Sequence, residues 1–310
     1  MFRKIENILS EWKIKTPWTN VYGLARSLIA FAGMLTLIVN KPEILFKPSS
    51  ASADYPICDY GFSAFCLAQN DYTYLNLIRW IFVFILFLVV IGWRPRFTGI
   101  LHWYIAYSMQ SAMVVIDGGE QAASVIAFLL IPITLTDRRK WHWESPEKTL
   151  SVNMYSKIIA NISIIFIRIQ VAIIYFHSTI AKLGNAEWID GTAVYYYSRE
   201  KTIGFNSFFD QITNPIVGSP LIVIPTWGTL LVQLLIFGGL FAPKKYWKSI
   251  FVIAVFMHEI FALMLGLISF SMVMVGTLML YLIPVESQLK LLSFKGQKNE
   301  EGAYDLKEVS

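Results

Sequence analysis

The stretch RIQVAIIYFHSTIAKLGNAEWIDGT, residues 168–192, places Arg168, Gln170, Tyr175, His177 and Lys182 on a run whose first half is apolar enough to cross a bilayer. Ionisable side chains are expensive in hydrocarbon and usually face a bundle interior or a water-filled cavity. If the run is helical, Arg168, Tyr175 and Lys182 recur every seven residues, nearly two turns, and share one face. Gln170 and His177 form a second stripe with the same spacing. Arg168 and Lys182 then stand about 21 Å apart along the axis, too far to grip one small group together. Two readings stay open. Lys182 can snorkel to the membrane surface while Arg168 pairs with a buried carboxylate, or the polar stripes can line a substrate cavity. Trp188 and Asp190 follow closely enough to join such a cavity.

A second polar site lies in FMHEIFALM, where His258 and Glu259 sit in an apolar run. Adjacent helical residues point to different faces, so they are not each other's partners. Glu259 is a candidate mate for Arg168 or for Arg26, which lies inside the first apolar run. His258 is a candidate cavity residue or a packed core histidine. The turn IDGGEQ offers Asp117 and Glu120 around two glycines. These carboxylates can cap a helix or form a lip over the cavity that Lys182 enters. No metal is expected, because the four histidines are scattered and lack the close spacing of a zinc site.

The elements that must position these residues are membrane helices. The chain has 310 residues, of which 55% are hydrophobic and 15% charged, with a mean hydropathy of +0.53. Soluble domains carry about 25% charged residues. The fold class is therefore an all-α, polytopic helical membrane bundle. A span needs roughly 20 apolar residues, which gives about eight candidates: 21–39, 75–93, 98–116, 121–136, 158–182, 220–241, 249–267 and 269–285. The last two are separated by a serine-containing turn near Ser269, so a broken or re-entrant unit is an alternative. A basic segment, 1–20, precedes the bundle at 21–285, and a polar tail, 286–310, follows it.

With eight spans and an internal N-terminus, eighteen lysines and arginines face the cytoplasm and five face outward. Basic residues collect on the cytoplasmic side, so the net charge of +5 reflects topology and implies no nucleic-acid partner. Both termini are expected in the cytoplasm. Cys58 and Cys66 share the first outward loop and are expected to form a structural disulfide; a redox-active dithiol is the alternative. The long outward stretch after Lys182 is rich in aromatics and should cap the bundle or lie on the membrane.

Several of these segments also resemble a family. The pattern R-x-Q-x4-Y-F-x5-K-L followed by W-x-x-G, here from Arg168 to Gly191, is similar to the core of the vitamin K-dependent γ-carboxylase-like (HTTM) membrane domain. YGLARSLIAF, DGGE and HEIFALMLGLISF resemble its first helix, its glycine turn and its late histidine helix. Within that group the order of motifs looks most like the bacterial sporulation-delaying protein B family. The resemblance implies a bacterial inner-membrane protein that helps mature a secreted antimicrobial peptide, with the lipid bilayer, a peptide toxin precursor and a small SdpA-like protein as partners. It also implies a membrane quinone or hydroquinone as cofactor, with Lys182 as the base and His258, Asp117 and Glu120 as further candidate catalytic groups. Arg26, Arg168, Gln170, Tyr175, His177, Trp188, Asp190 and Glu259 are then candidates for the cavity. A non-catalytic scaffold or export factor and a general quinone-linked oxidoreductase are the alternatives.

The topology has a direct test. In a background lacking both native cysteines, single cysteines introduced within 40–74 and 183–219 should react with an impermeant thiol reagent added to intact cells. Labelling of 183–219 only after the cytoplasm is opened would refute the orientation.

Overall fold

The computed structural model describes residues 16–48, 54–58, 61–114, 116–144, 153–200, 204–205, 207–284 and 287. Most of segment 1–20 and of tail 286–310 therefore lies outside the described residues. Among those described, the fold is helical, with one isolated bridge between Trp93 and Trp141.

The helices are α1 (Asn20–Val39), α2 (Pro42–Leu45), α3 (Tyr72–Val90), α4 (Pro95–Ala112), α5 (Gly118–Thr136), α6 (Met154–Leu183), α7 (Ala186–Ile189), α8 (Ala193–Ser198), α9 (Ser207–Val217), α10 (Val223–Gly238), α11 (Lys244–Leu265) and α12 (Ile268–Leu282). Their starts follow local chemistry. The Asp71 carboxylate accepts from the backbone of Thr73 and Tyr74 ahead of α3. Pro95 occupies the first turn of α4, where a missing N–H is harmless. Asp117 and Glu120 form a reciprocal capping box on α5.

Among the described residues, six helices are long and apolar enough to cross a membrane: α1, α3, α5, α6, α11 and α10 with its preceding turn from Pro220. Two of the eight expected spans fall short. α4 carries Thr98, His102, Ser108, Gln110 and Ser111 among its apolar residues. α12 has 15 residues, about 22 Å against a hydrocarbon core of about 30 Å. The break before it lies at Gly266, whose φ of 71° ends α11, and not at Ser269, which is inside α12.

The short α12 nevertheless occupies the centre, packed against α1, α5, α6 and α11. It is apolar all round and buried along most of its length, as expected for an enclosed helix. Gly276 sets its approach to α1: a Cβ there would stand 2.8 Å from the Ala25 carbonyl oxygen and 2.9 Å from Ile29. Small residues permit such close helix packing in membranes. The opposite face of α1 packs with α3, α4 and the residues beneath the disulfide loop. There Cys58 and Cys66 are bonded, and the Phe46 ring lies tilted against Phe65 with centroids 4.6 Å apart.

At the other end of the bundle, loop 137–144 is tied down by a buried ion pair. Arg139 makes a fork with Asp137, with Nε–Oδ1 at 2.9 Å and Nη2–Oδ2 at 2.8 Å, and donates through Nη1 to the carbonyls of His142 and Glu144. The His142 ring, also buried, lies against Gly92 and Gly23 and meets the Ser27 hydroxyl at 3.2 Å through Nε2. Its backbone N–H donates to the Gly92 carbonyl. Gly92 has a φ of 84°, and a Cβ added to it would overlap the imidazole.

Gly92→Ala therefore combines a left-handed backbone with a steric conflict. It should destabilise the purified protein by about 1–3 kcal/mol, read as a lower melting temperature in detergent; an unchanged value would show that the loop does not lock this turn. His142 gives a pH dependence. Burial, and then the charges of Arg26 and Arg139, hold its imidazole well below the ordinary value. The unfolded state thus binds this proton more readily, so the contribution is present above about pH 6.5 and declines as the pH falls below it. Melting temperature should drop between pH 7.5 and 5, and His142→Gln should flatten that slope.

Candidate functional site

A cavity of about 930 Å³ opens between α5, α6, α10, α11 and α12. It lies at the end of the bundle that carries the start of α5, where Glu120 accepts from the Thr36 hydroxyl at the close of α1. Trp188, Val194, Tyr197, Ser198 and Phe205 cover this end. Trp188 is buried beside Ala193 and Leu230, and its carbonyl accepts from the Trp227 indole at 3.2 Å. The cavity wall is mostly apolar, supplied by residues such as Ile174, Val232, Met257, Phe261, Phe270 and Met274.

Polar groups enter this wall at two levels. Near the cap, Lys182 donates to the Ser178 hydroxyl at 2.7 Å and to its carbonyl at 3.4 Å. The ammonium also lies 5.4 Å from the Trp188 ring centroid, a cation–π geometry. Deeper, the buried Tyr175 hydroxyl and His258 Nε2 are 2.7 Å apart. The His258 ring meets the rings of Phe261 and Phe270, and its buried Nδ1 has no hydrogen-bond partner. Beside them Thr179 donates to Gln233 Oε1 at 3.4 Å. Among the described residues lining the cavity, Lys182 alone carries a formal charge.

Of the residues singled out in the sequence, Gln170, Tyr175, His177, Lys182, Trp188 and His258 line this cavity. Arg168 does not, although it shares the seven-residue spacing of Tyr175 and Lys182. A straight helix drifts about 20° per heptad, and Arg168 also lies about 21 Å below Lys182. Its guanidinium sits 4.6 Å from the Trp247 ring. Arg26 is separate as well: it is 0% exposed and donates to the Thr98 hydroxyl at 2.7 Å, within α1 and α4. Its Nε and Nη1 have no hydrogen-bond partner.

The carboxylates are also placed apart from the cavity wall. Asp117 and Glu120 are engaged in the α5 cap, while the intervening Gly118 reaches the cavity. Glu259 is exposed and accepts from Ser271 at 3.1 Å, so its partner is a hydroxyl on α12 and not the arginine expected from the sequence. Asp190 accepts from its neighbour Thr192. The structure adds Ser178 and Gln233 to the polar wall. Ser178 stands one turn before Lys182, and Gln233 is a lone amide in the apolar run LLVQLLIF; those two patterns were the available signals.

No family model matches the chain, and no solved structure matches it. Two curated proteins do. Protein YitO of Bacillus subtilis (strain 168) is 60% identical over 290 residues, which cover 94% of each chain. Sporulation-delaying protein SdpB of the same organism is 36% identical over 294 residues, covering 91% of this chain and 90% of that one. An alignment at 36% identity over nine-tenths of both chains shows that the chain belongs to the SdpB-like family.

Proposed function

We propose that this chain is a multi-pass bacterial membrane protein acting in the production of a secreted, sporulation-delaying-type antimicrobial peptide, and that the cavity beneath Trp188 is its working site. The observation that carries the reading is the 36% identity to SdpB over nine-tenths of both chains. The orientation follows from the basic residues: loop 137–144 and the start of α11 face the cytoplasm, and the disulfide loop and the cavity mouth face outward. α4 and α12, packed within the same bundle, complete eight crossings. A peptide precursor and a small SdpA-like protein are the partners this reading assigns.

Lys182 is the polar anchor of the site. Its contacts are those of a donating ammonium: a hydroxyl, a carbonyl and an indole face. A second reading comes from the carboxylase resemblance, which makes Lys182 a proton acceptor in quinone-linked chemistry. The observation favouring it is the largely apolar wall with few polar groups, which suits a quinone ring and tail.

The test is the mass and amount of peptide secreted by cells making the precursor, with and without this chain. Mature peptide should disappear when the chain is absent; an unchanged product would refute the function. Among variants held at equal membrane levels, Lys182→Arg should keep most of the production and Lys182→Met should lose it by about tenfold or more, the worth of a charge-assisted hydrogen bond. Arginine remains protonated, so loss in both variants would instead select the proton-accepting role.

A further inference from the structure

Resting on the reading that the cavity is the working site, we propose that its ligand is a single-chain bilayer amphiphile with an anionic head, which enters sideways from the lipid. The head meets the Lys182 ammonium and the chain fills the apolar wall below it.

The route is visible in residues that serve two surfaces. On α11, Val252, Phe256 and Leu263 are 57%, 67% and 65% exposed and fall on one helical face. Val252 and Leu263 lie outside the cavity, whereas Phe256 lines it. On α6, Ile162, Phe166, Ile169 and Ile173 form a similar exposed apolar stripe, and Ile173 lines the cavity. The cavity thus reaches the apolar outer surface of the bundle, where lipid chains lie against membrane helices. Ile173 is nine residues below Lys182, about 14 Å along the helix. A ligand spanning that distance needs a polar head and an apolar tail. Gly228 lines the same space, and a Cβ built on it meets no atom within 4 Å.

Charge decides the head group. Lys182 bonds only neutral acceptors within Ser178, and none of the described residues lining the cavity is a carboxylate. Lys182 is half-buried, and an ammonium partly withdrawn from water without an anionic partner keeps an electrostatic demand that a carboxylate or phosphate head would meet. Volume is sufficient for the tail: an apolar cavity of about 150 Å³ accepts benzene, and this one is about 930 Å³. An extended peptide is disfavoured as occupant, because its backbone N–H and C=O groups would face a wall with few partners.

The experiment uses the full chain in nanodiscs with palmitate and hexadecanol as probes, measured by equilibrium binding. Palmitate should bind saturably and about tenfold tighter than hexadecanol, the difference one charge-assisted contact provides. Lys182→Met should abolish that preference while retaining hexadecanol binding, and Lys182→Arg should preserve it. Gly228→Trp, which fills the open space, should weaken both probes. Equal affinity for the two probes in the native chain, an unchanged preference in Lys182→Met, or butyrate binding as tightly as palmitate would each overturn the proposal. Because binding is read on purified protein, it is separable from peptide production. Palmitate preference that depends on Lys182, with peptide secretion unaffected by removal of the chain, would retire the function and leave the ligand class standing.

Discussion

The structure depends on a single constraint: a polar group placed among apolar helices must find a partner, and leaving it unpaired costs several kcal/mol. The two ends of the bundle differ in what surrounds their polar groups: close packing at one, a cavity at the other. At the end carrying loop 137–144, Asp137 pairs with Arg139, Arg139 holds the His142 carbonyl and Ser27 meets His142 Nε2, in a compact arrangement closed by Gly92 and Gly23 that leaves only the buried His142 Nδ1 of this group without a partner. At the other end the polar groups are fewer and border empty space. Lys182 is held by Ser178, while His258 keeps one ring nitrogen unpartnered. The first arrangement suits a lock and the second suits a ligand.

Between these ends, α1 and α12 transmit the geometry. α12 is too short to cross a bilayer unaided, yet it can sit at the centre because its surroundings are protein. Its hydrophobic surface is covered by four helices, and Gly276 lets it approach α1 closely. Where α12 ends toward the cavity, Phe270 and Met274 supply part of the wall and Ser271 holds Glu259. The packing of the core and the shape of the cavity are therefore not independent. A change at Gly276 would alter the spacing of α1 and α12 and, through Phe270, the floor on which His258 rests.

The identity to SdpB motivates the proposed role in peptide production, and the proposal places that role at the cavity. A largely apolar wall with one ammonium near its mouth is poorly suited to a hydrophilic substrate, which would bury polar groups without partners. It suits a molecule already resident in the membrane. Such a site can work on a secreted peptide system without the peptide itself occupying the cavity.

The sequence by itself determined the helical membrane class of the fold and pointed to Gln170, Tyr175, His177, Lys182, Trp188 and His258, which line the cavity. Hydrophobic runs report helices of membrane length directly, and Gln170, Tyr175, His177 and Lys182 recur at spacings that keep them on neighbouring faces of α6. Partnership was decided only by tertiary structure. Arg168 shares the heptad spacing but drifts off the face, and Glu259 is met by Ser271 because α12 folds back beside α11 after Gly266. Asp137, Arg139 and His142 read as an ordinary basic loop, since nothing local tells that their side chains turn inward beneath Gly92. Periodicity records which way a residue faces along its own helix. Which residue stands opposite depends on how separate helices cross, and that is set by packing between segments distant in sequence.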